Sequence, residues 1–402
     1  MPGALHGLRV LDLSRVLAGP FCCMMLGDHG ADVIKVEPPS GDETRTWGPP
    51  WVDGESTYYL AINRNKRSIA LDLTTEQGQE VVRRLAATSD VLVENFRAGA
   101  TARWGLEYAR LAQLNPRLVY LSISGFGRTG PYANVAGYDG ALQAFGGFMS
   151  INGEEGGEPL KAGIAIADLT TGLFASQAIL LALQARHTSG VGQQAEVSLL
   201  ESLLAVLHPH TSNYLNAGLV GKPHGNSHPT IAPYDLIATA DRPIYLPSGN
   251  DGQVRRLAEV LGRPDLAEDP RFRTNQDRVI HRRALLDVLE AEFARWSAVE
   301  LCRRLWDAGV PAGPVNSIDE VYADQQVLHR EMLQEFPHPG LASGKVRFAG
   351  FAAKLAGTPP TIRRHPPKFG EHTAEILAEL GFSSPEIQAL IDSRVARAPR
   401  GA

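Results

Sequence analysis

The sequence predicts an α/β protein built on a mainly parallel sheet, and three observations carry that expectation. Short apolar runs of strand length alternate with helix-like segments through the first third of the chain, the pattern that βαβ units leave in a sequence. Apolar residues make up 44% and charged residues 21%, the balance of a globular protein with a substantial core. At 402 residues the chain exceeds what one core usually organises, so more than one domain is expected.

The first strand is "LRVLDL" (Leu8–Leu13) and the second "DVIKVE" (Asp32–Glu37), and they bracket the helix-like "PFCCMMLGDHG". "SIALDL" (Ser68–Leu73) follows as a third strand. The helix after it, "TTEQGQEVVRRLAATS", has Thr74 as its expected cap and Val81, Val82 and Leu85 at helical spacing. "VLVEN" (Val91–Asn95) and "LVYLSISGF" (Leu118–Phe126) complete the series. In such a sheet the ligand site lies beyond the carboxyl ends of the strands. A long apolar helix is expected from Asp168 to about His187, with a further strand and helix in "QQAEVSLLESLLAVL". These elements place the first part of a large domain in residues 1–212. Gly, Pro, Asn and His then crowd the stretch Asn213–Pro233, which reads as a linker. A smaller unit over 234–325 opens with strand-like "YDLIAT" and "PIYLPSG" and continues in helices, among them the amphipathic "HRRALLDVLEAEFARW". The tail from Phe348 is loop-rich and ends in a helical stretch.

Several function classes are disfavoured at once. A net charge of −5 leaves no footprint for nucleic acid or an anionic membrane, so neither is an expected partner. No stretch approaches the roughly 18 uninterrupted apolar residues of a membrane span. The start, "MPGALHGLRVLDLS", has neither a charged n-region nor an apolar h-region. Cys22 and Cys23 are adjacent and Cys302 is distant, a poor basis for a disulfide framework, so a reducing cytoplasm is the expected location. After the first strand, "SRVLAGP" matches neither the G-x-G-x-x-G fingerprint nor a P-loop, which argues against the usual nicotinamide and ATP enzymes. No G-x-S-x-G elbow is present. His208, His210, His224 and His228 fall close together, but among prolines and glycines and without a cysteine partner, so no metal site is expected.

Two features have both a structural and a chemical reading. "NRNKRS" places Arg64, Lys66 and Arg67 ahead of a strand, as a solvated basic turn or as a seat for phosphate, with Arg97 and Arg103 able to share that task. Asp168, in "KAGIAIADLTTGLFASQ", is the one acidic residue of its stretch. It suits a helix N-cap, and it equally suits a carboxylate nucleophile, because a helix N-terminus favours the anion that such a nucleophile must be.

Taken together, "GLRVLDLSRVLAGPF", "GADVIKVEPPSGDETRTWGPP", "NRNKRSIALDL", "DVLVENFRAG", "NPRLVYLSISGFGRTGPY", "GYDGALQAFGGFMS" and "GEHTAEILAELG" resemble the class III CoA-transferases, the CaiB/BaiF type represented by formyl-CoA transferase. The resemblance covers nearly the whole chain, with the motifs in the family's order. It implies a Rossmann-like large domain made from both ends of the chain, so that 326–402 is a linker and a return to that domain. It also implies a smaller α+β domain in between and an interlocked homodimer. The family nucleophile carries over onto Asp168. CoA-contacting positions carry over onto Val16, Leu17 and Ala18, onto Leu71, Asp72, Leu73 and Thr74, onto Asn95, Phe96 and Arg97, onto Arg103, and onto Ala136, Gly137, Tyr138 and Asp139. No cofactor is implied as a permanent group; a coenzyme A thioester is a substrate, and a carboxylic acid is its partner.

Departures from the family pattern narrow the substrate. The oxalate-specific branch has glutamine where this chain has Leu17 and arginine where it has Pro38. Its long glycine-rich loop is here only "SGNDGQ", with Ser248, Gly249 and Asn250. "LGDHGADVIKVE", "GDETRTWGPP" and "STYYLAINRNKRS" instead look like the branch that moves CoA from succinyl-CoA to dicarboxylates. Arg45 and His228 are candidates to hold a substrate carboxylate, and Gly146, Gly147 and the Ser248–Gln253 loop are candidates to offer N–H groups to an oxyanion. Two other readings remain. One is an α-methylacyl-CoA racemase, in which a histidine base would stand where this chain has Tyr138; the other is a CoA-binding regulatory dimer without turnover.

Overall fold

The computed structural model describes residues 2–399, which form two compact units. The larger comprises the chain up to Phe148, Lys161–Gly218, and the chain from Leu328 onward; the smaller comprises Met149–Leu160 and Leu219–Val327.

The larger unit is built on a seven-stranded sheet whose order across is Ala396–Arg397, Lys66–Leu71, Asp32–Glu37, Arg9–Asp12, Val91–Glu94, Val119–Ser124 and Gln194–Ser198. All neighbours are parallel except Ala396–Arg397, which closes one edge antiparallel to Lys66–Leu71. The mainly parallel sheet expected from the alternation of runs is therefore present. Its strands are apolar on both faces, as a sheet covered on both sides requires. Leu11, Ile34, Ile69, Leu92 and Tyr120 pack on one side with the helices Glu76–Ala87, Thr373–Glu379 and Ser384–Asp392. Val10, Val33, Val91, Val93 and Leu121 pack on the other with Ala18–Asp28, Ile166–Ser189 and Leu199–Val206.

The strand order reverses between Arg9–Asp12 and Val91–Glu94. From the first strand the chain proceeds outward through Asp32–Glu37 and Lys66–Leu71, then returns to the other side for the remaining three parallel strands. The loops leaving Asp12 and Glu94 diverge at that point, and the gap between them is where a sheet of this kind opens a crevice.

Several local expectations are corrected. The basic cluster is not a solvated turn: Arg64 sits in a buried turn and the strand takes the rest. Lys66 and Arg67 lie inside the strand Lys66–Leu71, and Arg64, Lys66 and Arg67 are all buried. Arg64 pairs with Asp28 at 2.6 Å, Lys66 with Asp12 at 2.9 Å, and Arg67 with Asp32 and Glu379, both at 2.6 Å. These cations are consumed by carboxylates distant in sequence and offer nothing to a phosphate. The helix after the third strand is capped by Thr75, whose hydroxyl accepts from Gly78 N–H, not by Thr74. The stretch expected to be linker from Asn213 begins as helix, because His210–Ala217 continues until Gly218 takes a left-handed φ of 66°. The tail also supplies the edge strand Ala396–Arg397, too short to announce itself by alternation.

The smaller unit holds an antiparallel sheet in the order Gly313–Pro314, Ile244–Pro247, Tyr234–Ile237. Leu257, Leu285, Leu289, Phe293, Leu301 and Leu305, from three helices, form its core with Ile237, Ile244 and Leu246 of the sheet.

Candidate active site

At the reversal of the large sheet lies a cleft of about 180 Å³, lined by the loops that leave three adjacent strands. Arg15, Val16 and Leu17 follow the first strand; Asn95, Phe96 and Arg97 follow Val91–Glu94; Ser124 and Gly125 end Val119–Ser124. Ala136, Gly137 and Tyr138 form another wall, and Asp168 enters from the first turn of Ile166–Ser189.

Local chemistry fixes each wall. Asn95 holds the first loop by its backbone, its Oδ1 accepting from Arg15 N–H at 2.9 Å and its Nδ2 donating to Arg15 C=O at 2.8 Å. Val16, next in that loop, has a φ of 69°, a left-handed conformation costly for a β-branched residue. The helix Ala18–Asp28 then starts with no side-chain cap from Leu17; Pro20 has no N–H and Phe21 N–H donates to Leu17 C=O, which leaves the N–H groups of Ala18 and Gly19 at its start, with Ala18 in the cleft lining. Phe96 stands edge-on to Trp104 with centroids 5.0 Å apart. Gly125 and Gly137 allow two backbones to touch: a Cβ on Gly137 would stand 2.6 Å from the Gly125 Cα.

Asp168 differs from the expectation in two respects: it is not the helix cap, and its surroundings disfavour the anion that a helix start was expected to favour. The helix begins at Ile166, so Asp168 is its third residue and not its cap, and Ala165 contributes no capping side chain. The cap comes from elsewhere. Asp139, at the start of the helix Asp139–Phe145, turns its Oδ1 to the N–H groups of Ala167 (2.8 Å) and Asp168 (3.3 Å). Burial, and then the like charge of Asp139, push the Asp168 carboxyl up to about 7. Tyr58, half-buried, has its phenol pushed up to about 12 by burial and then by the Asp168 and Asp139 charges.

Of the positions singled out in sequence, Val16, Leu17, Ala18, Asn95, Phe96, Arg97, Ala136, Gly137, Tyr138 and Asp168 line this one cleft. Leu71, Asp72, Leu73 and Thr74 lie outside it at the end of their strand, with Leu71 in the core and Asp72 Oδ1 accepting from Thr74. Arg103, at the end of the short helix Ala100–Arg103, is also outside its lining. Arg45 is committed to Glu37 through two 2.7 Å bonds and to the Tyr59 hydroxyl at 2.6 Å, so it is a strut and not a substrate contact. Gly146 N–H already donates to Leu142 C=O at 2.7 Å. Gly147 takes a left-handed φ of 85°.

His228, Ser248, Gly249 and Asn250 belong to the smaller unit. The Ser248–Gln253 loop is tied to itself: Ser248 N–H donates to Pro233 C=O, Gly249 N–H to Gln253 Oε1, and Gln253 N–H to Asn250 Oδ1. Those three N–H groups are not available to an oxyanion. His228 accepts from Thr230 N–H at its Nδ1, and burial holds its imidazole below the ordinary value.

Sequence reasoning missed Arg15, Glu43, Ser124, Asn134 and Arg128 as cleft residues. Ser124 and Arg128 stand in "SISGFGRTGPY", directly after a strand, and the rule that sites follow carboxyl ends would have flagged them. Arg128 pairs with the buried Glu94, which also accepts from Ser122 Oγ and Phe96 N–H.

Residues 5–373 match the model of CoA-transferase family III. The chain is 47% identical over 384 residues to succinate–glutarate CoA-transferase of Agrobacterium fabrum, covering 94% of this chain and 95% of that one. It is 41% identical over 393 residues to the succinyl-CoA:glutarate CoA-transferase of Mus musculus, covering 97% and 90%. A crystal structure of a CaiB/BaiF family protein from Brucella suis superposes with a TM-score of 0.86 at 44% identity, covering 94% of this chain and all of that one. The chain belongs to CoA-transferase family III, the class III CoA-transferases.

Proposed function

We propose that this CoA-transferase moves CoA from succinyl-CoA to a dicarboxylic acid of the glutarate class by covalent catalysis on Asp168. The observation that carries the reading is the carboxylate of Asp168 in the cleft at the sheet's reversal, with no cation among the causes that set its proton affinity. A carboxylate neutralised by arginine or lysine is a poor nucleophile; this one keeps its basicity. The dicarboxylate specificity is inferred from the names of the two relatives above.

The ionised Asp168 attacks the thioester carbonyl, the C–S bond breaks, and a mixed anhydride and CoA thiolate form. The thiolate attacks the Asp168 carbonyl carbon, which releases succinate and leaves an aspartyl-CoA thioester. The acceptor carboxylate attacks that thioester and expels the thiolate again. Attack of the thiolate on the acceptor's carbonyl then yields the new acyl-CoA and restores the Asp168 carboxylate. No general base is needed during turnover, because carboxylate and thiolate attack as anions, Asp168 from the fraction of enzyme in which it is ionised, and a thiolate with a conjugate acid of about 8.5 leaves readily. The open start of Ala18–Asp28 is the source of N–H groups for each tetrahedral oxyanion.

We also read the protein as a homodimer with a Rossmann-like large domain. Ile166–Ser189 is apolar enough in length and composition to span a bilayer, yet it packs on the large sheet and leaves Leu173, Leu180 and Leu181 exposed. Leu204, Tyr214 and Leu215, on nearby helices of the same unit, are exposed too, and an apolar surface of that extent suits a second copy of the chain.

The test is incubation with succinyl-CoA and a panel of four- to six-carbon dicarboxylic acids, following new thioesters by mass spectrometry, with hydroxylamine added to trap Asp168. The expected result is glutaryl-type thioester and a hydroxamate on Asp168. Epimerisation of a branched acyl-CoA without transfer would favour the racemase reading instead, and CoA binding without turnover the regulatory one.

A further inference from the structure

We propose that Asp139 is a positioning residue for the transfer reaction: its carboxylate, braced by Gln143, fixes where the Asp168 carboxylate stands in the cleft. The inference rests on Asp168 being the nucleophile.

The arrangement is a relay of short bonds through a buried amide. Gln143, fully buried one turn along from Asp139, donates from Nε2 to Asp139 Oδ2 at 2.6 Å and accepts at Oε1 from Ala162 N–H at 2.8 Å. Asp139 Oδ1 accepts from the N–H groups of Ala167 and Asp168. One helix thus grips both ends of the segment 162–168. Between those ends only Ile166 and Ala167 pack into the core, while Gly163 and Ile164 are exposed. The segment's direction comes from these bonds.

The same carboxylate has a second effect. A capping aspartate normally stabilises a helix start and neutral surroundings would suffice, but here the cap's charge faces the reacting carboxylate. Asp139 is the one acidic group that acts on Asp168 besides burial itself. The Tyr58 phenol faces Asp168 from Thr57–Ile62, and Glu43, Arg15, Arg97 and Arg128 line the wider opening. Repulsion from Asp139 raises the energy of the ionised nucleophile and is relieved when Asp168 becomes acylated. The cap therefore favours attack while it holds the geometry.

Asp139→Asn and Asp139→Ala separate the two effects. Asparagine keeps an Oδ1 acceptor for the helix N–H groups and loses the charge, while its Nδ2 gives up the bond from Gln143 Nε2; alanine loses the charge and every acceptor. In single-turnover measurements of aspartyl-CoA thioester formation, Asp139→Ala is expected to slow the step on the order of 10²-fold, the cost of misplacing a reacting group by about 1 Å. Asp139→Asn is expected to recover most of that rate, with the acid limb of the rate profile moved to lower pH. A second readout needs no activity. At pH 8, the melting temperature gained by Asp168→Asn should be smaller in an Asp139→Asn background than in the native one. Equal gains in the two backgrounds, or an Asp139→Ala variant with native rate and acid limb, would overturn the inference. An absent hydroxamate on Asp168 in the native protein would instead overturn the nucleophile assignment, and the melting cycle would still report whether Asp139 acts on Asp168.

Discussion

Four carboxylates of the large unit fall into two kinds, and the difference between them separates framework from reagent. Asp12, Glu37 and Asp42 are buried at the roots of the sheet, each within reach of a cation: Lys66, Arg45 and Lys35. Burial alone would raise all three, but the cations win, so Asp12 and Glu37 lie below the usual carboxylate range and Asp42 falls to about 2. Asp168 is only half-buried, yet desolvation and the neighbouring carboxylate raise it to about 7. A cation does not by itself lower a buried carboxyl, since burial holds Asp28 and Glu94 above the usual range although each is paired with an arginine. What sets Asp168 apart is that a like charge stands where these carboxylates have a cation.

The largest expected effect tests the reagent directly. Asp168→Asn keeps the size and the helix position but removes the nucleophilic oxygen, and transfer should fall by about 10³-fold or more. An Asn variant that turns over at the native rate, with deamidation checked by mass spectrometry, would sink the covalent mechanism. The counterpart on the framework side is Lys66→Met. It leaves Asp12 with Lys35 and the Ser14 hydroxyl but without its 2.9 Å partner. Removing one member of a buried pair costs about 3–5 kcal/mol, and urea unfolding should show a loss near the lower end of that range. A neutral result would mean that Lys35 alone satisfies Asp12.

The division also sets the pH dependence of the rate. Asp168 attacks only when ionised, so kcat/KM should climb with pH to a plateau above about 8. At pH 6 it should be roughly tenfold below that plateau, given a carboxyl near 7. A profile flat from pH 5 to 8 would mean that substrate or a partner subunit brings a cation to Asp168.

How much of this was legible in the sequence follows from the range of the interactions. Strand and helix alternation is local, and the five parallel strands from Arg9 to Ser124 lie at the apolar runs, although the third starts two residues early at Lys66 and the short hairpin at Trp51–Ser56 left no such run. The family motif marked Asp168 because its small-residue surroundings are also local. Arg64, Lys66 and Arg67 read as solvent-facing because their carboxylates stand 36, 54 and up to 312 positions away, beyond any window. Asp139 was singled out as a CoA-contacting position, is not among the residues lining the cleft, and was not legible as a cap, since nothing in "GYDGAL" points to a helix starting 27 residues later. Arg45 sits in a recognisable motif, but whether a guanidinium meets substrate or Glu37 depends on where a strand from another segment ends.

The pH dependence of stability most sharply separates the two kinds of carboxylate, because its sign differs between them. Asp42 binds its proton more weakly folded than unfolded, so its contribution to stability is complete above about pH 4 and is lost as pH falls toward 2. Asp168 binds its proton more tightly folded than unfolded. Between about pH 4 and pH 7 the native state holds more protons at this site, so its contribution falls as pH rises through that window and is a net cost above it. Asp168→Asn removes that cost. The variant should be more stable than the native protein at pH 8, by on the order of 1–4 kcal/mol, and should show no gain near pH 4. A gain at both pH values would trace to packing and not to charge. A loss at pH 8 would mean that the ionised Asp168 is held by a favourable partner, which would place it with Asp12 and Asp42 among the struts.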